Sequence, residues 1–115
     1  MANGSLYEPD RGHFVYVDFD PQAGHEQAGR RPGLVLSGLK FNSRTGLAFI
    51  APITNTVRGG PFEVPVPTGM RITGVVLVAH ARSLDWKERK VQFVGVAPVD
   101  LTEEVCGKVG AIIEC

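Results

Sequence analysis

The chain has 115 residues, a length that suits one domain burying roughly two-thirds of the surface its unfolded form exposes. Its 43% hydrophobic and 21% charged residues make an ordinary globular composition. Lysine plus arginine and aspartate plus glutamate number 12 each, so the chain is not a globally basic nucleic-acid binder, and positive charge for such a ligand would have to be local.

Residues 1–12 are polar and read as a flexible leader. Residues 14–19, FVYVDF, are β-branched and aromatic and predict a first strand. Residues 20–31, DPQAGHEQAGRR, have no apolar period and predict a long, mobile polar loop, the kind of segment that carries function. Pro32 ends it. Residues 33–39 predict a second strand, apolar on nearly every position to Leu36, as in a strand covered on both faces. Residues 42–46, NSRTG, predict a turn, and 47–53 a third strand followed by Thr54, Asn55 and Thr56. After a turn at 57–61, residues 62–66 predict a strand that Pro65 confines to an edge or a bulge. A turn at 69–73 leads into a strongly β-branched strand at 74–81. Residues 83–90, SLDWKERK, predict a helical turn or two, and 91–96 a last strand.

The chain closes on a helix with Asp100 expected as its cap and Glu103 as the capping-box partner. Leu101, Val105, Val109, Ile112 and Ile113 define its apolar face. Gly107 and Gly110 each weaken it by roughly 1 kcal/mol relative to alanine. Some six short strands predict a mainly β (α+β) domain, a small antiparallel barrel or sandwich with helices packed outside.

Cys106 and Cys115 have neither CxxC nor metal-ligand spacing and do not make a disulfide framework, so both read as free thiols in a reducing compartment. The N-terminus has no apolar signal-peptide core, and no apolar run reaches the roughly 18 residues of a membrane span. A cytoplasmic location is the expectation.

Chemistry concentrates around the polar loop. Arg30 and Arg31 precede Pro32, which favours an extended chain, and a guanidinium fork matches a phosphate. On pattern alone, two solvated surface arginines are the more ordinary reading. Thr54, at a strand end, can donate to a phosphoryl oxygen or cap its own backbone. Asp18, Asp20 and Glu26 can serve as general bases or metal ligands, but pairing with the loop arginines is preferred, since no histidine–carboxylate spacing supports a metal. His13, His25 and His80 show neither HxxxH nor HExxH spacing, so no metal site is expected. No GxSxG or Walker pattern occurs. Trp86 reads as a core anchor.

With these segments in view, the chain resembles the MazF/PemK family of toxin ribonucleases. The resemblance is carried by VYVDFDPQAGHEQAGRRPGLVLS (15–37), FIAPITNT (49–56), GGPFEV (59–64) and ARSLDWKER (81–89), in that order, with a C-terminal helix of matching length. It covers nearly the whole chain after the leader, and EQAGxRP followed by PxT is its most specific part. The resemblance implies an SH3-like small barrel, shared with the CcdB toxin, in a homodimer.

It further implies cleavage of single-stranded RNA to a 2′,3′-cyclic phosphate and a 5′-hydroxyl, with no metal and no cofactor. The partner it implies is a MazE-like antitoxin whose acidic C-terminal tail covers the RNA groove. Carried over by position, Arg31, Thr54 and Glu26 are the implied catalytic residues. Asp18, His25, Gln27, Arg30, Asn55, His80, Arg82 and Arg89 are the implied RNA contacts. His80 stands where a glutamine is common and Ala79 where an acidic residue is common, so base preference is expected to differ. Two other readings stay open at this point. One is a CcdB-like toxin that poisons a topoisomerase by protein contact. The other is an SH3-like module that binds RNA and leaves it intact.

Overall fold

The structure is a computed structural model that describes residues 7–19 and 29–114. Its strands are β1 (His13–Asp18), β2 (Arg30–Val35), β3 (Leu47–Thr54), β4 (Glu63–Pro65), β5 (Val75–Leu77), β6 (Arg82–Asp85) and β7 (Gln92–Val96). All pairings are antiparallel, and the spatial order is β4-β5-β3-β2-β1-β7 with β6 also on β3. Among the described residues β4 and β7, the two ends of that order, do not pair, so the small barrel-like sheet does not close. Helix α1 (Leu39–Thr45) follows β2, and helix α2 (Val99–Ile113) ends the chain.

The central strands bury both faces, as the unbroken apolar run predicts. Leu34, Leu36, Ala51 and Ile53 point to one side, where they pack with Phe14, Val64, Val76 and the α2 residues Leu101 and Val105. Val35, Ala48 and Ile50 point to the other, against Val15, Val17, Phe19, Leu84 and Trp86. Side chains alternate along a strand, so one sequence feeds both cores. Pro65 sits on β4, at the end of the sheet order, where its missing N–H breaks no ladder.

Several expected elements differ. The strand over 33–39 instead begins at Arg30 and ends at Val35, because Arg30 and Arg31 pair with Asp18 and Val17 of β1. The mobile loop expected over 20–31 therefore does not include these arginines. The turn expected at 42–46 is the second half of α1, closed by Gly46 in the left-handed conformation with φ 74°. Residues 82–85, in the segment expected to be helical, form β6 against β3, since Leu84 and Trp86 are both buried at the two-residue spacing of a strand. Only the segment after it turns, with the Arg89 N–H donating to the Asp85 carbonyl at 2.9 Å. That raises the strand number to seven.

The strand expected at 74–81 breaks after Leu77 into a 3-10 turn, Val78–His80. At α2 the cap position is Pro98, without a side-chain cap, and Asp100 lies inside the first turn, so the expected capping box does not form. Ile112 and Ile113 are exposed rather than packed. Of the leader, residues 7–12 are tied down: the Asn42 amide donates to the Pro9 carbonyl at 2.8 Å, and the Leu39 N–H donates to Asp10 Oδ1 at 2.9 Å.

Candidate active site

The site is set by strand register. In the β2/β3 ladder Leu34 faces Ala51 and Gly33 faces Pro52, and the ladder stops there. Pro32 and Pro52, which have no N–H, mark its end. Carried on in the same register, the next residues on that face are Arg31 and Thr54, two residues beyond the last pair. Both residues lie on the face that carries Val35, Ile50 and Phe19, at the open end of the strands.

Strand alternation separates the two arginines. Arg31 shares a face with Thr54, while Arg30 turns to the opposite face beside its partner Asp18. There Arg30 pairs with Asp18 at 3.2 Å and donates to the Lys90 carbonyl at 2.8 Å and to Gln92 Oε1 at 3.2 Å. The preferred pairing of Asp18 with a loop arginine is thus observed, with Arg30. Arg89 serves the same corner, donating to the Asp18 carbonyl at 3.3 Å. Asp18, Arg30 and Arg89 therefore form one cluster at the β1 end, separate from the Arg31/Thr54 pair.

Thr54 is buried at 7% exposure, and its Oγ1 accepts the Thr56 N–H at 3.1 Å. That bond fixes the hydroxyl oxygen and occupies a lone pair, not the proton. Among the described residues no acceptor takes the proton, so it is available to an incoming oxygen. The backbone-capping reading of Thr54 is thus observed. Behind it Gly74 adopts φ +117°, and a Cβ there would run into the Thr54 carbonyl. Gly74 is a residue the motif reading did not single out, although a glycine before the β-branched run 75–78 signals a close backbone approach.

Arg82 joins the same face from β6, opposite Ile50. Its guanidinium lies 5.4 Å from the centre of the Phe19 ring and donates to the Phe19 carbonyl at 2.7 Å. Phe19 is fully buried and reaches across Gly33, whose missing side chain makes room for the ring and for Ile50. The aromatic floor under the site is thus built from the last residue of the FVYVDF segment. The Phe19 N–H also donates to the Gly29 carbonyl at 2.9 Å, which brings the two ends of the 20–28 segment together.

His80 is exposed at the end of the 3-10 turn. It lines a cleft of about 260 Å³ with Ala79, Ala81 and Arg82, and a second of about 200 Å³ with Phe62, Glu63 and Leu77 among others. Asn55 is exposed beside Thr54. Glu26, His25 and Gln27, together with Asp20, lie outside the described residues. Cys106 is a free, half-buried thiol, and Cys115 lies outside the described residues.

The fold defines a class: a small barrel-like sheet with a C-terminal helix, in which an arginine and a threonine lie near the ends of two adjacent central strands. A family profile described as PemK-like, MazF-like toxin of type II toxin–antitoxin system matches residues 10–113. The endoribonuclease toxin MazF of Escherichia coli K12 is 44% identical over 98 residues, covering 84% of this chain and 87% of that protein. The crystal structure of MazF from Deinococcus radiodurans superposes with a TM-score of 0.91 at 49% identity, covering 95% of this chain and 99% of that one. MazF in a MazE–MazF crystal structure from the same organism gives 0.85 at 46% identity, covering 94% and 98%. The chain belongs to the MazF/PemK toxin family.

Proposed function

We propose that this protein is the endoribonuclease toxin of a toxin–antitoxin pair and that it cuts single-stranded RNA at a short sequence without a metal. In this reading the ribose 2′-hydroxyl attacks its own phosphate, the bond to the 5′ oxygen breaks, and the products carry a 2′,3′-cyclic phosphate and a 5′-hydroxyl. The nucleophile belongs to the substrate, so the protein has to stabilise charge on the phosphoryl oxygens and move two protons.

The observation that carries the reading is that Arg31 on β2 and Thr54 on β3 each lie two residues beyond, and on the same face as, the last paired residues of the β2/β3 ladder, Gly33 and Pro52. A guanidinium is a poor base, because it keeps its proton throughout the pH range in which proteins work. Arg31 therefore acts as a fixed positive fork on the non-bridging oxygens and donates toward the leaving oxygen. Thr54 adds a hydrogen bond through the proton that the bond from Thr56 leaves available. Glu26 or His25 takes the 2′ proton. Arg82, His80 and Asn55 contact the flanking nucleotides, with His80 bearing on base preference. Asp18, Arg30 and Arg89 meet the RNA backbone at a second cluster, at the β1 end of the sheet.

The protein is proposed to act as a cytoplasmic homodimer. It is countered by a MazE-like antitoxin, whose acidic tail competes for the same groove as RNA. Among the described residues no helix is long and apolar enough to cross a membrane.

The test is incubation of the purified protein with a mixed-sequence RNA in excess chelator, with the ends of the products mapped. Cleavage that persists and leaves cyclic phosphate ends is expected. Cleavage that stops with chelator and returns with magnesium overturns the mechanism.

A further inference from the structure

We infer that Phe19 is a positioning residue that acts through Arg82, holding the Arg82 guanidinium in place as a fixed charge for an RNA phosphate; this rests on the ribonuclease reading above. Two parts of Phe19 meet the same group. Its carbonyl accepts a hydrogen bond from Arg82 Nη2 at 2.7 Å, and the guanidinium carbon lies 5.4 Å from the centre of its ring. Phe19 is itself held through both backbone and ring. Its N–H donates to the Gly29 carbonyl at 2.9 Å, and the N–H of the preceding Asp18 donates to the Arg89 carbonyl at 2.9 Å. Its ring packs in the core with Ile50 and Val35, close enough to Gly33 that a Cβ there would touch it.

Arg82 is half-buried and, as the partner of Ile50, shares the face of Arg31 and Thr54. A long side chain that is free to wander must be ordered when a ligand arrives, which weakens binding roughly two- to tenfold. Here that ordering is done in the free protein. The hydrogen bond fixes one edge of the planar guanidinium, and the ring fixes its face. A planar cation held in this way suits a phosphate, whose oxygens need a charge at a set place. Phe19 is 0% exposed, so it does not meet RNA itself and its effect on binding passes through Arg82.

The experiment measures KM, kcat, the thermal midpoint and the salt dependence of KM on one defined RNA. It compares wild type, Phe19→Leu, Arg82→Met, Arg82→Lys and the Phe19→Leu/Arg82→Met double variant. Phe19→Leu keeps the core filled and the carbonyl in place but removes the ring face. It is expected to raise KM about three- to tenfold, with a smaller change in kcat and the wild-type salt slope, because the charge remains. Arg82→Met removes the charge and is expected to flatten the slope of log KM against log salt by about 0.7. In the Arg82→Met background Phe19→Leu adds nothing further, an outcome that a merely structural role for the ring does not produce. Arg82→Lys leaves the core untouched, keeps the charge and loses the stacked plane; it is expected to raise KM as Phe19→Leu does, again with the wild-type salt slope. A wild-type KM for Phe19→Leu or Arg82→Lys, or the full Phe19→Leu effect persisting without Arg82, overturns the inference while leaving the ribonuclease intact. If Phe19→Leu does not fold, Arg82→Lys decides by the same readings. A wild-type protein that fails to cut RNA overturns both.

Discussion

Adjacent arginines in a strand send their side chains to opposite faces, and on the proposed reading Arg30 and Arg31 do different work. Arg30 is spent on Asp18, Lys90 and Gln92, and its carboxylate partner is about one-third exposed. Such a pair contributes at most about 1 kcal/mol, so Arg30→Ala is expected to lower stability slightly and to weaken RNA binding mainly at low salt. Arg31 lies on the same face as Thr54. Replacing it with lysine keeps the charge but loses the planar fork, and the expected loss in kcat is on the order of a hundredfold or more. Thr54→Val, which keeps the shape and removes the donor, is expected to fall in the same range. Single-turnover cleavage on a defined RNA separates these outcomes; equal losses for the Arg30 and Arg31 variants would contradict the division of labour. The sequence pattern supplied the residue types and the family motif, but the division follows only once β2 is known to start at Arg30. Pro32 reads as a loop boundary, and it conceals that start.

Among the elements, those with clean β-branched or alternating runs were legible: β1, β3, β7 and the edge strand with Pro65. The ones that were not legible depend on tertiary partners. Helix α1 is short and has little intrinsic stability, and NSRTG looks like a turn until Asn42 is seen at its centre. Asn42 is fully buried and its amide donates to the carbonyls of Pro9 and Ser37, while its own carbonyl accepts the Trp86 indole N–H at 3.0 Å. The Ser37 hydroxyl completes the set, donating to Asn42 Oδ1 at 2.6 Å and accepting the Phe49 N–H at 2.8 Å. This junction joins the N-terminal segment, α1, β3 and the turn after β6. Asn42→Ala leaves buried carbonyls without donors and is expected to cost about 2–3 kcal/mol in urea unfolding. A change below about 0.5 kcal/mol would show that these bonds do not hold the elements together. Trp86 reads correctly as a core anchor from sequence, yet the strand that delivers it was hidden by charged neighbours. Lys87, Glu88 and Arg89 suggest a solvated helix when only local composition is weighed.

At the scale of the molecule, the N-terminal segment is fastened by His13. The Tyr7 hydroxyl lies 2.7 Å from His13 Nδ1, the Asp10 N–H donates to the same nitrogen at 3.3 Å, and the Phe93 ring abuts both aromatic rings. A nitrogen that accepts these bonds is unprotonated. Burial lowers the His13 pKa below the ordinary 6.5, and the nearby Asp10 carboxylate offsets part of that shift. The unfolded chain therefore takes up the proton first. The contribution of His13 is complete above pH 6.5 and is lost as pH falls through the lower folded value. The midpoint of thermal unfolding is expected to drop on going from pH 7.5 to roughly 5.5, and His13→Asn to flatten that slope. An unchanged slope in the variant would assign the effect to other groups.

The same fold that fastens residues 7–12 leaves Arg31 and Thr54 near the ends of adjacent central strands, where the proposed reading has them act on RNA. The most direct measurement is the cleavage of one defined RNA by wild type and by Arg31→Lys, both in excess chelator, with the 3′ ends of the products identified. Cyclic phosphate ends from the wild type, and at least a hundredfold slower cutting by the variant, are the predicted result. Cutting at the wild-type rate by Arg31→Lys, or wild-type cutting that requires a metal, would contradict it.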